Sequence, residues 1–257
     1  MTPSEIFRDV VGSTVTITAT IGNYVSQGSG FYVAPNIIAT NFHVVEGATK
    51  ATARVTNTNV EVEVLGFLAV NREADLILLQ VAGNPQTPLS VANRQTSVGE
   101  PIFVIGAPRG LEGTISDGIV SALRNRDGVL EAQISAPISS GSSGSPVVNQ
   151  MGEVIGVATW TFVDGQNLNF ATSRVHLQEL MQEKRSRPTR LSALDPRRAT
   201  APIVNQPARV EQIPPPQRRS FFSSRSAHFY EILPINLYAT LINDGAFFVS
   251  ATAFSIS

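Results

Sequence analysis

The chain has 257 residues, 42% hydrophobic and 15% charged, a balance that suits a packed, β-rich core and excludes a disordered chain. It has no cysteine and three scattered histidines, which excludes disulfides, thiol catalysis and Cys-based zinc sites, so no metal or organic cofactor is expected. The net charge of −1 hides an asymmetry, with −7 on residues 1–183, +8 on 184–225 and −2 on 226–257.

The first residues lack the basic start and apolar run of a signal peptide. No run of about 18 apolar residues predicts a membrane-spanning helix. The expectation is a protein working inside the cell, or an exported one whose leader lies outside this sequence. Thr14–Thr20 then alternates, with Val15, Ile17 and Ala19 on one face, as a half-buried strand does. Gly30–Ala34 and Ile37–Thr40 flank a Pro35-Asn36 turn and predict a hairpin. Val60–Leu65 alternates, and Leu76–Val81 is nearly all apolar, as a strand buried on both faces would be. A loop at about 82–96 divides this set from a second: Pro101–Ile105, Thr114–Leu123, Val129–Ala136, Pro146–Asn149, Val154–Thr161 and Leu168–Thr172. Ser173 caps a short helix running to about Arg185.

The prediction is an all-β chain of two six-stranded antiparallel barrels, about 10–90 and 97–175, closed by that helix within a domain of residues 1–186. Prolines among arginines then predict a flexible basic linker over 187–220. This reads as a solvated tether or as an attachment to an anionic surface, and no nucleic-acid partner is firmly implied. The tail, 221–257, carries Asn243-Asp244-Gly245 between two apolar runs, a type I′ hairpin signal.

Chemistry concentrates at three places. Gly141-Ser142-Ser143-Gly144-Ser145-Pro146 sets one serine between glycines before an apolar strand. A serine hydroxyl needs a base to take its proton and donors for the oxyanion it creates. Ala39-Thr40-Asn41-Phe42-His43-Val44-Val45 brings a histidine at the end of a strand, and Ala74-Asp75-Leu76 an acid at the start of another. The order His, Asp, Ser separates the chain from subtilisin-type enzymes. The residue two after Ser143 is Ser145, so the G-x-S-x-G elbow of α/β-hydrolases fails as well. Asp117 and Asp127 are weaker candidates for the acid, since each precedes a glycine in a turn.

These motifs, with Gly28-Ser29-Gly30-Phe31 and Gln133 through Val148, resemble the trypsin-like serine proteases of the HtrA/DegP type from about Glu5 to Glu183. The resemblance implies a chymotrypsin-like fold and a serine endopeptidase with polypeptide substrates, in protein quality control or processing. It implies His43 as general base, Asp75 as the acid that orients it and Ser143 as nucleophile, with Gly141 and Ser143 N–H groups as oxyanion hole. Ile138, Thr159, Trp160, Thr161 and Asn169 match substrate-binding positions. The residues just before Gly141, Pro137-Ile138-Ser139-Ser140, include no acid, so a preference for small or medium aliphatic residues is expected. Trp160 equally suits an ordinary core aromatic. Relatives often form trimers, which makes a homo-oligomer an expectation. Many carry a PDZ domain, for which this chain lacks the length and the glycine loop. Ser142 and Ser145 depart from the usual pattern around the nucleophile. A rival reading is a silenced or latent protease fold that holds unfolded segments or a partner peptide, and a third is an esterase.

Overall fold

The structure, a computed structural model, describes residues 1–83, 86–107, 113–161 and 168–194. The tail hairpin and all of the basic linker beyond Leu194 lie outside the described residues. Helix α1 (Pro3–Val11) comes first and is absent from the strand-based reading. Thr2 starts it with a capping box: its hydroxyl accepts from Glu5 N, and its own N–H donates to Glu5 Oε2 at 2.7 Å. Ile6 and Val10 are the buried face.

Six strands follow: β1 (Thr14–Ile21), β2 (Tyr24–Ala34), β3 (Ile37–Asn41), β4 (Lys50–Val55), β5 (Glu61–Asn71) and β6 (Leu76–Val81). A single helical turn, α2 (Phe42–Val45), stands between β3 and β4. The strands close as an antiparallel barrel in the order β1-β2-β3-β6-β5-β4. Barrel two comprises β7 (Pro101–Gly106), β8 (Thr114–Arg126), β9 (Val129–Ile134), β10 (Pro146–Asn149), β11 (Val154–Thr161) and β12 (Asn169–Ser173). It closes as β10-β11-β12-β9-β8-β7. Closure leaves neither sheet with an open edge.

The apolar run in β6 has a clear cause. Ile77, Leu79 and Val81 point into the core of barrel one. Leu76 and Leu78 face a second core that joins the barrels, shared with Phe103, Ile105, Val148 and Val157. Helix α3 (Arg174–Glu183) closes over that second core with Leu177 and Leu180. Its N-cap, Ser173, accepts from Val175 N at 3.3 Å as the sequence predicts. No helix among the described residues is long and apolar enough to cross a membrane.

The start of the predicted linker needs correction. Thr189 pairs with Phe67 of β5 through two backbone bonds of 2.8 Å, and Arg185 N reaches Leu68 O at 3.0 Å. Leu191 and Leu194, on a 3₁₀ turn (Leu191–Leu194), then enter the core of barrel one. Composition hid this because two leucines three apart are enough to anchor a stretch otherwise rich in arginine and proline.

Candidate active site

His43 lies on the turn α2 rather than at a strand end: β3 stops at Asn41, and the next four residues wind once. The turn is tied to the start of β6, since Phe42 N donates to Asp75 O at 3.1 Å and Asn41 Nδ2 to the same oxygen at 2.9 Å. Asp75 sits just before β6 with φ +53°, a conformation that aspartate tolerates better than most residues. Both its carboxylate oxygens are then used on one partner. Oδ1 accepts from His43 N at 2.9 Å, and Oδ2 lies 2.6 Å from His43 Nδ1. This fixes the ring and its tautomer, with Nδ1 protonated and Nε2 directed elsewhere. Burial presses the imidazole towards its neutral form. The Asp75 hydrogen bond and charge, with a smaller contribution from Glu46, outweigh this and hold the pKa above its ordinary value.

Ser143 approaches from barrel two. A Cβ on Gly28 would meet Val44 Cγ2 at 2.6 Å and Ser143 O at 3.2 Å. Gly28 is therefore the spacer through which the turn of His43 and the loop of Ser143 come together. Ser29 fastens the loop. Its N–H donates to Ser143 O at 2.8 Å, and its hydroxyl donates to Gly141 O at 2.7 Å and accepts from Ala107 N at 3.1 Å. Gly141 and Gly144 have φ of +92° and +86°, and a Cβ on Gly144 would lie 2.0 Å from Ser29 O. Among the described residues the N–H groups of Gly141 and Ser143 have no protein acceptor. The Ser143 hydroxyl makes one long bond, 3.5 Å to Thr159 O. Among the described residues no hydrogen bond joins Ser143 to His43, and bonds of that kind often tighten only when substrate binds.

The two departures flanking Ser143 are accommodated differently. Ser142 is buried and closes a small turn, donating from N to Ser139 O at 2.8 Å and accepting from Ser139 N at 3.3 Å. Ser145 is fully buried, and its hydroxyl has no partner among the described residues. It fits because Gly106 faces it: a Cβ there would lie 2.0 Å from Ser145 Oγ.

The five candidate substrate contacts are distributed among separate surroundings. Thr159 and Trp160 line a cavity of about 350 Å³ shared with His43 and Asp75. Ile138 lines a smaller cavity, about 180 Å³, beside Val104, Pro137 and Ser142. Thr161 pairs with Asn169 across β11 and β12. Asn169 is buried and donates to Ala136 O at 2.8 Å. The weaker acid candidates lie elsewhere. Asp117 faces Phe103 across β7 and β8, and Asp127 forms the β8–β9 turn with Gly128, both at positive φ.

Several supporting residues carried no role in the sequence reading. Ser29 is one. Thr172 is another: its hydroxyl donates to Ala74 O at 3.1 Å, so barrel two braces the turn of Asp75. Glu131 is a third, buried in barrel two and accepting from Trp160 Nε1 at 3.0 Å. All three act across long sequence separations, which no local motif reveals.

Known proteins resemble this chain in sequence and in fold. Residues 28–157 match the trypsin-like peptidase domain family. A probable periplasmic serine endoprotease, DegP-like, of Pseudomonas savastanoi is 33% identical over 144 residues, 53% of this chain and 29% of that protein. The mitochondrial serine protease HTRA2 of Bos taurus is 33% identical over 168 residues, 61% of this chain and 36% of that protein. The chain thus spans about a third of the length of these curated relatives. Among solved structures, a protease of M. tuberculosis in its active form superposes with a TM-score of 0.68 at 21% identity, covering 74% of this chain and 90% of that one. The serine endoprotease of Yersinia pestis gives 0.64 at 25% identity, covering 71% and 66%. From residues 28 to 157, a stretch that enters both barrels and contains His43, Asp75 and Ser143, the chain belongs to the trypsin-like peptidase domain family.

Proposed function

We propose that the chain is a serine endopeptidase of the HtrA type, acting in protein quality control or processing through an acyl-enzyme. The observation that carries this is the grip of Asp75 on His43 through both carboxylate oxygens. In this reading the Ser143 hydroxyl turns from Thr159 O towards His43 Nε2 and attacks the peptide carbonyl carbon as Nε2 takes its proton. The carbonyl oxygen becomes an oxyanion facing the Gly141 and Ser143 N–H groups. His43 then passes the proton to the leaving amine, the C–N bond breaks, and an ester on Ser143 remains. Water, deprotonated by His43, hydrolyses the ester and restores the hydroxyl.

We infer a preference for small or medium aliphatic side chains before the scissile bond. The absence of any carboxylate in Pro137-Ile138-Ser139-Ser140 supports it. So does Asn169, a residue larger than glycine at a position that matches the pocket wall of relatives.

The test is covalent labelling with a fluorophosphonate beside cleavage of casein and of an unfolded protein. Labelling and cleavage that vanish together in Ser143→Ala support the peptidase. Labelling that persists in that variant refutes Ser143 as nucleophile.

A further inference from the structure

The cavity of about 350 Å³ beside His43 and Asp75 is also lined by Glu73, Arg126, Glu131 and Trp160. Its size lies within the range of ordinary ligand pockets. Glu131 is 4% exposed, and its Oε1 accepts from both Trp160 Nε1 and Arg126 Nη2, each at 3.0 Å. The Arg126 guanidinium lies 4.5 Å above the indole ring, while Phe170 stacks parallel to that ring at 4.0 Å. The pocket therefore already contains what binds an organic cation, a buried carboxylate and an aromatic face. The chain's own arginine occupies that position. Its side chain is 58% exposed, so it can return to water at little cost. Glu73 adds an exposed carboxylate at the rim, with no hydrogen bond or ion pair among the described residues. Val129 and Ala74 offer apolar wall for an aliphatic stem.

We propose that this cavity is a subsite for a lysine or arginine side chain of the bound peptide, with Glu131 as its specificity-determining residue and Arg126 as an internal stand-in displaced on binding. The inference rests on the peptidase reading and adds to it a basic residue at a position other than the one immediately before the cleaved bond. Carboxylates outnumber cations around the pocket, Glu73, Asp75 and Glu131 against Arg126 and the His43 ring, which favours a cationic guest over an acidic one.

The experiment uses the 257-residue chain and peptides carrying lysine, norleucine or glutamate at each of the four positions preceding the cleaved bond. Lysine is expected to raise kcat/KM over norleucine by roughly tenfold at one position, as a charge-assisted hydrogen bond does. Glu131→Gln should abolish that ratio. Glu73→Gln, at an exposed site where folding is not at stake, should lower it, and Arg126→Ala should raise it by removing the competitor. A ratio near one at all four positions overturns the proposal. So does a ratio indifferent to both glutamate variants, or a preference for glutamate that Arg126→Ala removes. Cleavage of the norleucine peptides with a flat ratio would sink the subsite and leave the peptidase standing. If nothing is cleaved, the peptidase reading fails, and the affinities of the same peptides for Ser143→Ala decide the subsite alone.

Discussion

The hydroxyl of Ser29, on β2 of barrel one, donates to the carbonyl of Gly141, on the Ser143 loop of barrel two, at 2.7 Å. The same oxygen accepts from Ala107 N, and the Ser29 carbonyl accepts from Thr40 Oγ1 at 2.6 Å. A fully buried residue thus holds the Ser143 loop with its N–H and its hydroxyl, while its carbonyl ties it to β3.

Ser29→Ala is expected to leave the Gly141 carbonyl and the Ala107 N–H without partners, at about 1–3 kcal/mol each. The loop would lose its side-chain anchor and keep the Ser29 N–H bond to Ser143 O, while His43 and Asp75 keep their contacts. The fall should therefore appear in kcat, by roughly tenfold, with KM little changed. Outright loss of an oxyanion donor costs more, roughly 10²–10³. Steady-state kinetics with a thermal melt separates the two effects.

Asp75→Asn should lower kcat by about 10⁴, since an amide at Nδ1 favours the wrong imidazole tautomer. In the native chain activity should rise with pH through a value above that of an ordinary histidine, because on the peptidase reading the neutral ring is the base and Asp75 raises its pKa. In the variant that inflection should move to lower pH. Stability has the opposite sign. The imidazolium–carboxylate attraction is present in full below the unfolded histidine's pKa and is lost as pH rises through the raised folded value. A pH–rate profile and melts across the same range check both.

Leu194→Ala should destabilise the fold by about 2–5 kcal/mol, as a buried leucine does. A residue in a free linker would change it by less than about 0.5 kcal/mol. Denaturant unfolding reports which applies.

Tyr32 is fully buried, and its hydroxyl has no hydrogen-bond partner among the described residues. Burial also holds its phenol above the ordinary range. Tyr32→Phe should therefore leave stability unchanged or raise it by up to about 1 kcal/mol. A loss beyond that size would reveal an acceptor for the hydroxyl.

Much of the fold was legible because barrel strands signal locally. Val15, Ile17 and Ala19 alternate, Pro35-Asn36 turns, and Leu76–Val81 is apolar because it separates two cores. Helix α1 was legible in principle, through Thr2 and Glu5 at capping-box spacing, but a short helix beside many strands is easily passed over. The α2 turn was not: Phe42-His43-Val44-Val45 has the β-branched character of a strand, and its bonds to Asp75 override that preference. His43, Asp75 and Ser143 stood out by neighbouring residues. Ser29, Thr172 and Glu131 did not, because their partners lie 112, 98 and 29 positions away.

The bond from Thr172 to the carbonyl of Ala74 also bears on the order of synthesis. His43 and Asp75 leave the ribosome with barrel one, well ahead of Gly141–Ser145. Thr172, in the last strand of barrel two, emerges later still. On the peptidase reading a nascent chain is harmless until that strand is made.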